Sequence, residues 1–99
     1  MKKCTVILTG TLLTDAHLLP EFQECSERAG KNASHYGGKV LSQFNIRESL
    51  GSGKKQDFLI LVEYPSYEDA VAAHSNPEYD RISHLRQKVF SEFNVQIAV

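Results

Sequence analysis

The chain has little cysteine, no strong excess of charge and no long apolar run. Two cysteines, Cys4 and Cys25, in 99 residues are too few for a disulfide scaffold, and they make no Cys-x-x-Cys pair. Lys plus Arg number 11 against 12 for Asp plus Glu, a formal charge of −1, which lacks the basic footprint of a nucleic-acid binder. No apolar stretch approaches the roughly 20 residues that cross a bilayer. The start is basic at Lys2 and Lys3, but Thr5, Thr9, Gly10 and Thr11 interrupt the segment that follows. That segment reads as a strand and not as the apolar region of a signal peptide. Chemical fingerprints are missing too. There is no Gly-x-Gly-x-x-Gly or P-loop spacing and no Gly-x-Ser-x-Gly elbow. His17, His35, His74 and His84 show neither His-x-x-x-His nor His-Glu-x-x-His spacing, which argues against a preformed zinc site. The expectation is one small domain over residues 1–99, cytoplasmic, with no membrane or nucleic-acid partner, no metal and no implied cofactor. A chain of this size buries roughly 60–65% of the surface it exposes when unfolded, enough for a single packed core.

The elements follow from periodicity. Cys4–Leu12 alternates as a strand, with Val6 and Leu8 on one face and Thr5, Ile7 and Thr9 on the other. Leu18, Phe22, Cys25, Ala29 and Ala33 then recur at intervals of four, three, four and four, one apolar stripe at helical period. Cys25 on that stripe reads as a small buried hydrophobe. Asp15 is a candidate N-cap, while Pro20 either starts the main helix or bends its first turn. Gly37-Gly38 ends the helix. The second strand is expected over Lys39–Glu48, with Val40, Phe44 and Ile46 on one face and Leu41, Gln43, Asn45 and Arg47 on the other. Gly51–Gln56 is a mobile hairpin loop, and the third strand runs Asp57–Tyr64 before Pro65. Ser66 with Asp69 forms a capping box for a helix through Ala70 and Ala73. Asn76-Pro77 starts another helix, whose inner face carries Tyr79, Ile82, Leu85, Arg86 and Val89. Phe90–Val99 is the last strand.

The order β-α-β-β-α-β is the ferredoxin-like arrangement, an α+β fold with helices over one face of a four-stranded antiparallel sheet. The third strand breaks the pattern of a half-wet sheet. Phe58, Ile60 and Val62 load one of its faces and Leu59 and Leu61 the other. The helices cover a single side. Each such side chain left in water forfeits roughly 1.5–3 kcal/mol, and a contiguous apolar patch marks an interface. A second copy is the simplest cover, so a homodimer through one sheet face is expected. Which face meets the partner stays open at this stage.

Three stretches carry a family resemblance: His35-Tyr36-Gly37-Gly38-Lys39-Val40-Leu41; Glu63-Tyr64-Pro65-Ser66 with Ala70; and Asn76-Pro77-Glu78-Tyr79 with Arg86. Together they resemble the domain-of-unknown-function family 1330, over nearly the whole chain. The resemblance implies a ferredoxin-like protomer in a dimeric α/β barrel, an architecture shared with cofactor-free monooxygenases, muconolactone isomerases and dye-decolourising peroxidases. Where that family's pattern has an aromatic pair in the second helix, this chain has Ala73-His74, which implies a roomier and more polar pocket.

His35 and Arg86 are the candidate catalytic residues. His35 near the end of the first helix is a candidate general base at the cleft mouth, although a histidine there also complements the helix dipole. Arg86 suits a carboxylate or enolate, or anchors a carboxylate within the fold. Tyr36, Glu63, Tyr64, His74 and Tyr79 are candidate ligand-binding residues. Glu63 is either a pocket base or a partner of Arg86 or Arg47, and the tyrosines also fit a packing role with a wet hydroxyl. The expected function is a cofactor-independent enzyme, oxygenase or isomerase in type, acting on a small carbonyl or aromatic compound. The alternative is a non-catalytic dimeric small-ligand-binding or stress-related module.

Overall fold

The computed structural model describes residues 2–99. Strand β1 (Cys4–Leu12) is followed by a 3-10 turn at Ala16–Leu18, helix α1 (Pro20–His35), strands β2 (Lys39–Asn45) and β3 (Phe58–Tyr64), helices α2 (Tyr67–Ala73) and α3 (Pro77–Val89), and strand β4 (Phe90–Ala98). The sheet runs β2-β3-β1-β4 with every pairing antiparallel, the ferredoxin-like order.

Local chemistry explains the helix boundaries. Pro20 is the first residue of α1, where its missing N–H costs nothing. Asp15 does not cap that helix. It precedes the 3-10 turn in a left-handed conformation, and its side chain makes no capping bond. Leu18 therefore leaves the α1 stripe and is exposed. Ser66 accepts from the Asp69 N–H at 3.1 Å and donates its hydroxyl to the Asp69 carboxylate at 2.9 Å. The Asn76 amide oxygen accepts from Tyr79 N–H at 3.0 Å. Gly37, at φ 81°, takes the left-handed turn that ends α1, a conformation other residues adopt only with strain.

Register assigns the two faces. Cys4, Val6, Leu8 and Gly10 lie opposite Tyr64, Val62, Ile60 and Phe58, and this side meets the helices. Its buried core cluster is Cys4, Val6, Val62, Tyr64, Ala70 and Ala73, and Ile82 and Val89 of α3 are buried as well. On the reverse, Thr5, Ile7 and Thr9 face Glu63, Leu61 and Leu59. No helix among the described residues covers that reverse side. The alternation expected for β2 fails at one point. A bulge between Val40 and Ser42 shifts the register, because an extra residue on one strand reverses which way its successors face. Val40 still pairs with Val62 on the helix side, but Phe44 pairs with Leu59 and joins the uncovered face. β2 also stops at Asn45, before Glu48. The loop after it is tied back by Lys54, whose ammonium lies 3.0 Å from Glu92, and by Asp57 N–H, which donates to Gly10 O at 2.7 Å.

Candidate functional site

A cavity of about 440 Å³ lies between α1 and the helix side of the sheet. Its origin is the stripe on α1. Ala29, Gly30 and Ala33 line it opposite Ile60 and Val62, and side chains this small cannot fill the space. α1 packs mainly on α3 instead of on the strands. Arg28 fixes that arrangement, its Nε and Nη2 reaching the two Glu78 carboxylate oxygens at 2.9 and 3.0 Å, the bidentate geometry arginine favours. The mouth follows edge strand β2, where Val40, Gln43 and Asn45 border it; Phe44 borders it too, although its register partner Leu59 belongs to the reverse face.

One flank of the cavity is aromatic. Phe58, Phe90 and Phe93 form a triangle with centroid separations of 5.0 to 5.9 Å, and Phe22 lies 6.5 Å from Phe90. Gly10 makes this possible. A Cβ there would fall 2.9 Å from the Phe58 ring and 2.8 Å from Glu92 O, so a side chain at position 10 would displace Phe58.

Polar side chains adjoin that flank. Arg86 is 8% exposed. Its Nη1 donates to the Tyr79 hydroxyl oxygen at 3.0 Å, and its guanidinium sits 3.9 Å from the Phe93 ring centroid, within cation–π range. Cys25 lines the same cavity, and the Arg86 charge acts on its thiol. None of the ion pairs among the described residues includes Arg86. No side-chain nitrogen or oxygen among the described residues is both buried and unpaired. The Arg86 nitrogens without a protein partner are therefore reached from the cavities it lines. A buried cation with no carboxylate opposite it is an expensive arrangement.

His74 and Tyr64 complete that polar group. The His74 ring stands edge-on to Tyr79 at 5.0 Å and to Tyr64 at 6.0 Å. Its Nδ1 lies 2.8 Å from Ala70 O. A carbonyl can only accept, so Nδ1 carries the proton and Nε2 of the neutral ring is a bare acceptor. Burial lowers the His74 pKa from its usual 6.5; the Ala70 hydrogen bond opposes this and the Arg86 charge adds to it. Burial raises the Tyr64 phenol, with Tyr79 adding and Arg86 opposing. Burial likewise raises the Cys25 thiol against the pull of Arg86, which leaves it a thiol and not a nucleophilic thiolate. The chain end that carries His74 is held from two sides: Asn76 donates to Ala72 O and Ala73 O at 2.9 and 3.1 Å, and Asn32 of α1 donates to Ala73 O at 2.8 Å.

Of the residues singled out from sequence, Tyr64, His74, Tyr79 and Arg86 converge on this cavity. His35, Tyr36 and Glu63 do not line it. His35 is exposed, its ring edge-on to Tyr36 at 5.0 Å. The α1 stripe runs 22, 25, 29, 33, so its next position is 36, and His35 is turned about 100° away. Tyr36 follows the stripe but packs against the core cluster. Glu63 lies on the reverse face, 3.4 Å from Lys3, and pairs with neither Arg86 nor Arg47. The aromatic triangle and the Cys25–Arg86 contact were not read from sequence. The second depends on α1 packing against α3, which no spacing in the sequence signals. Among the described residues, no three His, Cys, Asp or Glu side chains gather as a metal-binding group, and no helix is long and apolar enough to cross a membrane.

Sheet order, helix placement and cleft together define a ferredoxin-like α+β protein whose cavity lies between the sheet and its helices. The chain belongs to the DUF1330 family (domain of unknown function), whose pattern matches residues 12–98. A protein of unknown function from Rhodopseudomonas palustris has the same fold at TM-score 0.78 and 18% identity, over 97% of this chain and 80% of that one. SnoaB, a cofactor-independent oxygenase from Streptomyces nogalater, matches at TM-score 0.68 and 11% identity, over 100% and 93%. A dimeric protein of unknown function with a ferredoxin-like fold from Bacteroides fragilis matches at 0.53 and 10%, over 97% and 94%. At these identities the likeness is one of fold. No functionally curated protein matches the sequence.

Proposed function

We propose that this cleft binds a small carbonyl or aromatic compound and that the protein is a cofactor-independent enzyme, oxygenase or isomerase in type. The observation that carries this reading is the convergence of Tyr64, His74, Tyr79 and Arg86 in a largely apolar cavity. Few polar groups in an apolar pocket orient a ligand without solvating it. Arg86, buried without a carboxylate, is matched to a carboxylate or developing oxyanion, and Tyr79 stands beside it. The aromatic flank suits a planar body. The fold shared with SnoaB, a cofactor-independent oxygenase, supports the reaction type by analogy alone.

In this reading the working unit is a homodimer closed across the reverse face of the sheet, where Ile7, Leu59 and Leu61 stand together and half-buried. The unpaired thiols Cys4 and Cys25 fit a reducing compartment such as the cytoplasm.

Titration calorimetry with small aromatic and keto acids tests the cleft. Saturable binding that Arg86→Gln weakens at least tenfold is expected. Turnover of a bound compound supports the enzyme, and binding without any product supports a ligand-carrying module instead. A cleft that binds none of these compounds would refute the reading.

A further inference from the structure

We propose that His74, through Nε2, is the general base of the cleft, and that its substrate is a carbon acid, a compound with a C–H bond next to a carbonyl, whose enolate oxygen is received by Arg86 and Tyr79. This rests on reading the cleft as a small-molecule enzyme site and goes beyond it by naming the base and the substrate class.

Three observations meet here. The Ala70 carbonyl at 2.8 Å occupies the Nδ1 proton of His74, which fixes the tautomer and leaves the Nε2 lone pair as the ring's free function. Arg86 donates to the Tyr79 oxygen, so the Tyr79 hydroxyl proton remains free to be given elsewhere, and the neighbouring positive charge makes it a stronger donor. Both groups border one aromatic ring: the His74 ring centre is 5.0 Å from that of Tyr79 and the Arg86 guanidinium carbon 5.3 Å. A proton acceptor and an oxyanion site thus flank the same Tyr79 ring in a mostly apolar cavity, where fixed donors act strongly on developing charge.

The step balances without any oxidant. The Nε2 lone pair takes the proton, the C–H bond breaks and an N–H bond forms. The C–H electron pair becomes a C=C bond, and the carbonyl π pair moves onto oxygen, facing Arg86 and the Tyr79 hydroxyl. Return of the proton from the imidazolium to carbon completes an exchange or an isomerisation. The groups facing His74 are Tyr64 from β3 and Tyr79 and Arg86 from α3, with Cys25 of α1 beside Arg86. The carboxylate along the cavity, Asp57, is at the far end of β3 and accepts from Leu12 N–H at 2.7 Å. Burial holds the His74 pKa below 6.5, so at neutral pH the ring is unprotonated and free to accept a proton.

Phenylpyruvate, an aromatic keto acid with an exchangeable benzylic C–H, is the probe. Proton NMR in heavy water follows loss of that signal with and without the protein, and calorimetry follows binding. The wild-type chain is expected to accelerate exchange, with a rate that falls as pH drops through a value below 6.5. His74→Asn keeps an N–H donor for Ala70 O and removes Nε2. It should lose roughly 100-fold or more of the exchange while binding changes little and circular dichroism not at all. Tyr79→Phe keeps the ring and should lower exchange with binding retained, which tests the same site should the His74 variant misfold. Phenylpyruvate bound without accelerated exchange, or exchange undiminished in folded His74→Asn, overturns the assignment and leaves the cleft reading standing. Failure of phenylpyruvate and of every other aromatic or keto acid to bind overturns both.

Discussion

The two faces of the sheet are built from the same strands and end up in opposite conditions. On the helix side, Val6 and Cys4 of β1 meet Val62 and Tyr64 of β3, and all four are buried. One residue along, Ile7 meets Leu61, and both stay half-exposed, with Phe44 beyond Leu59 at 57% exposure. Nothing in the side chains themselves separates these sets. The difference lies in what the rest of the chain can lay over them: among the described residues, three α-helices for one face and no helix for the other. Composition of a strand therefore reports how much apolar surface must be covered, and topology decides whether the protomer does the covering.

The largest expected effect breaks the helix side. Ile82→Ala removes a fully buried side chain and should cost about 2–5 kcal/mol of stability, read as a lower denaturation midpoint at an unchanged slope. Leu61→Asp attacks the reverse face. It should weaken self-association at least tenfold, about 1.4 kcal/mol, so that sedimentation reports protomers of 11.1 kDa with native circular dichroism; a mass and stability equal to wild type would remove the dimer from the account. Asn76→Ala sharpens the contrast. Losing this cap and its two bonds to α2 should cost about 1 kcal/mol and leave association untouched, because it acts on the helix layer only. The smallest effect is linked to pH. His74 has a lowered pKa when folded, so between its ordinary 6.5 and that lower value the unfolded chain holds more protons. Stability is full above the ordinary value and declines as pH falls toward the folded one. His74→Asn should flatten that acid limb in denaturation curves taken from neutral to mildly acidic pH.

Much of the architecture was legible because its signals are local. The Ser66 capping box starts α2 and Asn76-Pro77 separates it from α3, both by chemistry confined to a few residues, and the doubly apolar run Phe58–Val62 marks β3. The site was legible in part. Arg86 and Tyr79 share a face of α3 by spacing, whereas the meeting of Cys25 with Arg86 depends on α1 packing against α3, which periodicity cannot reveal. His35 ends α1, but its angular position on the helix turns it away from the cavity, and nearness to a helix end says nothing about that angle. The misassigned face of Phe44 has a different cause: strict alternation presumes one residue per rung, and the bulge near Leu41 inserts a second.

That surplus residue works as a parity switch. Upstream of it Val40 obeys one alternation, and downstream Ser42 through Asn45 obey the opposite one. Deleting it would restore one residue per rung and leave Gln43, Phe44 and Asn45 facing as they do now, whereas flattening the bulge at constant length would exchange Phe44 with Gln43 and Asn45 between indoor and outdoor positions. A register slip of this edge strand would thus rewrite the rim of the cavity and the surface offered to a neighbour in a single event.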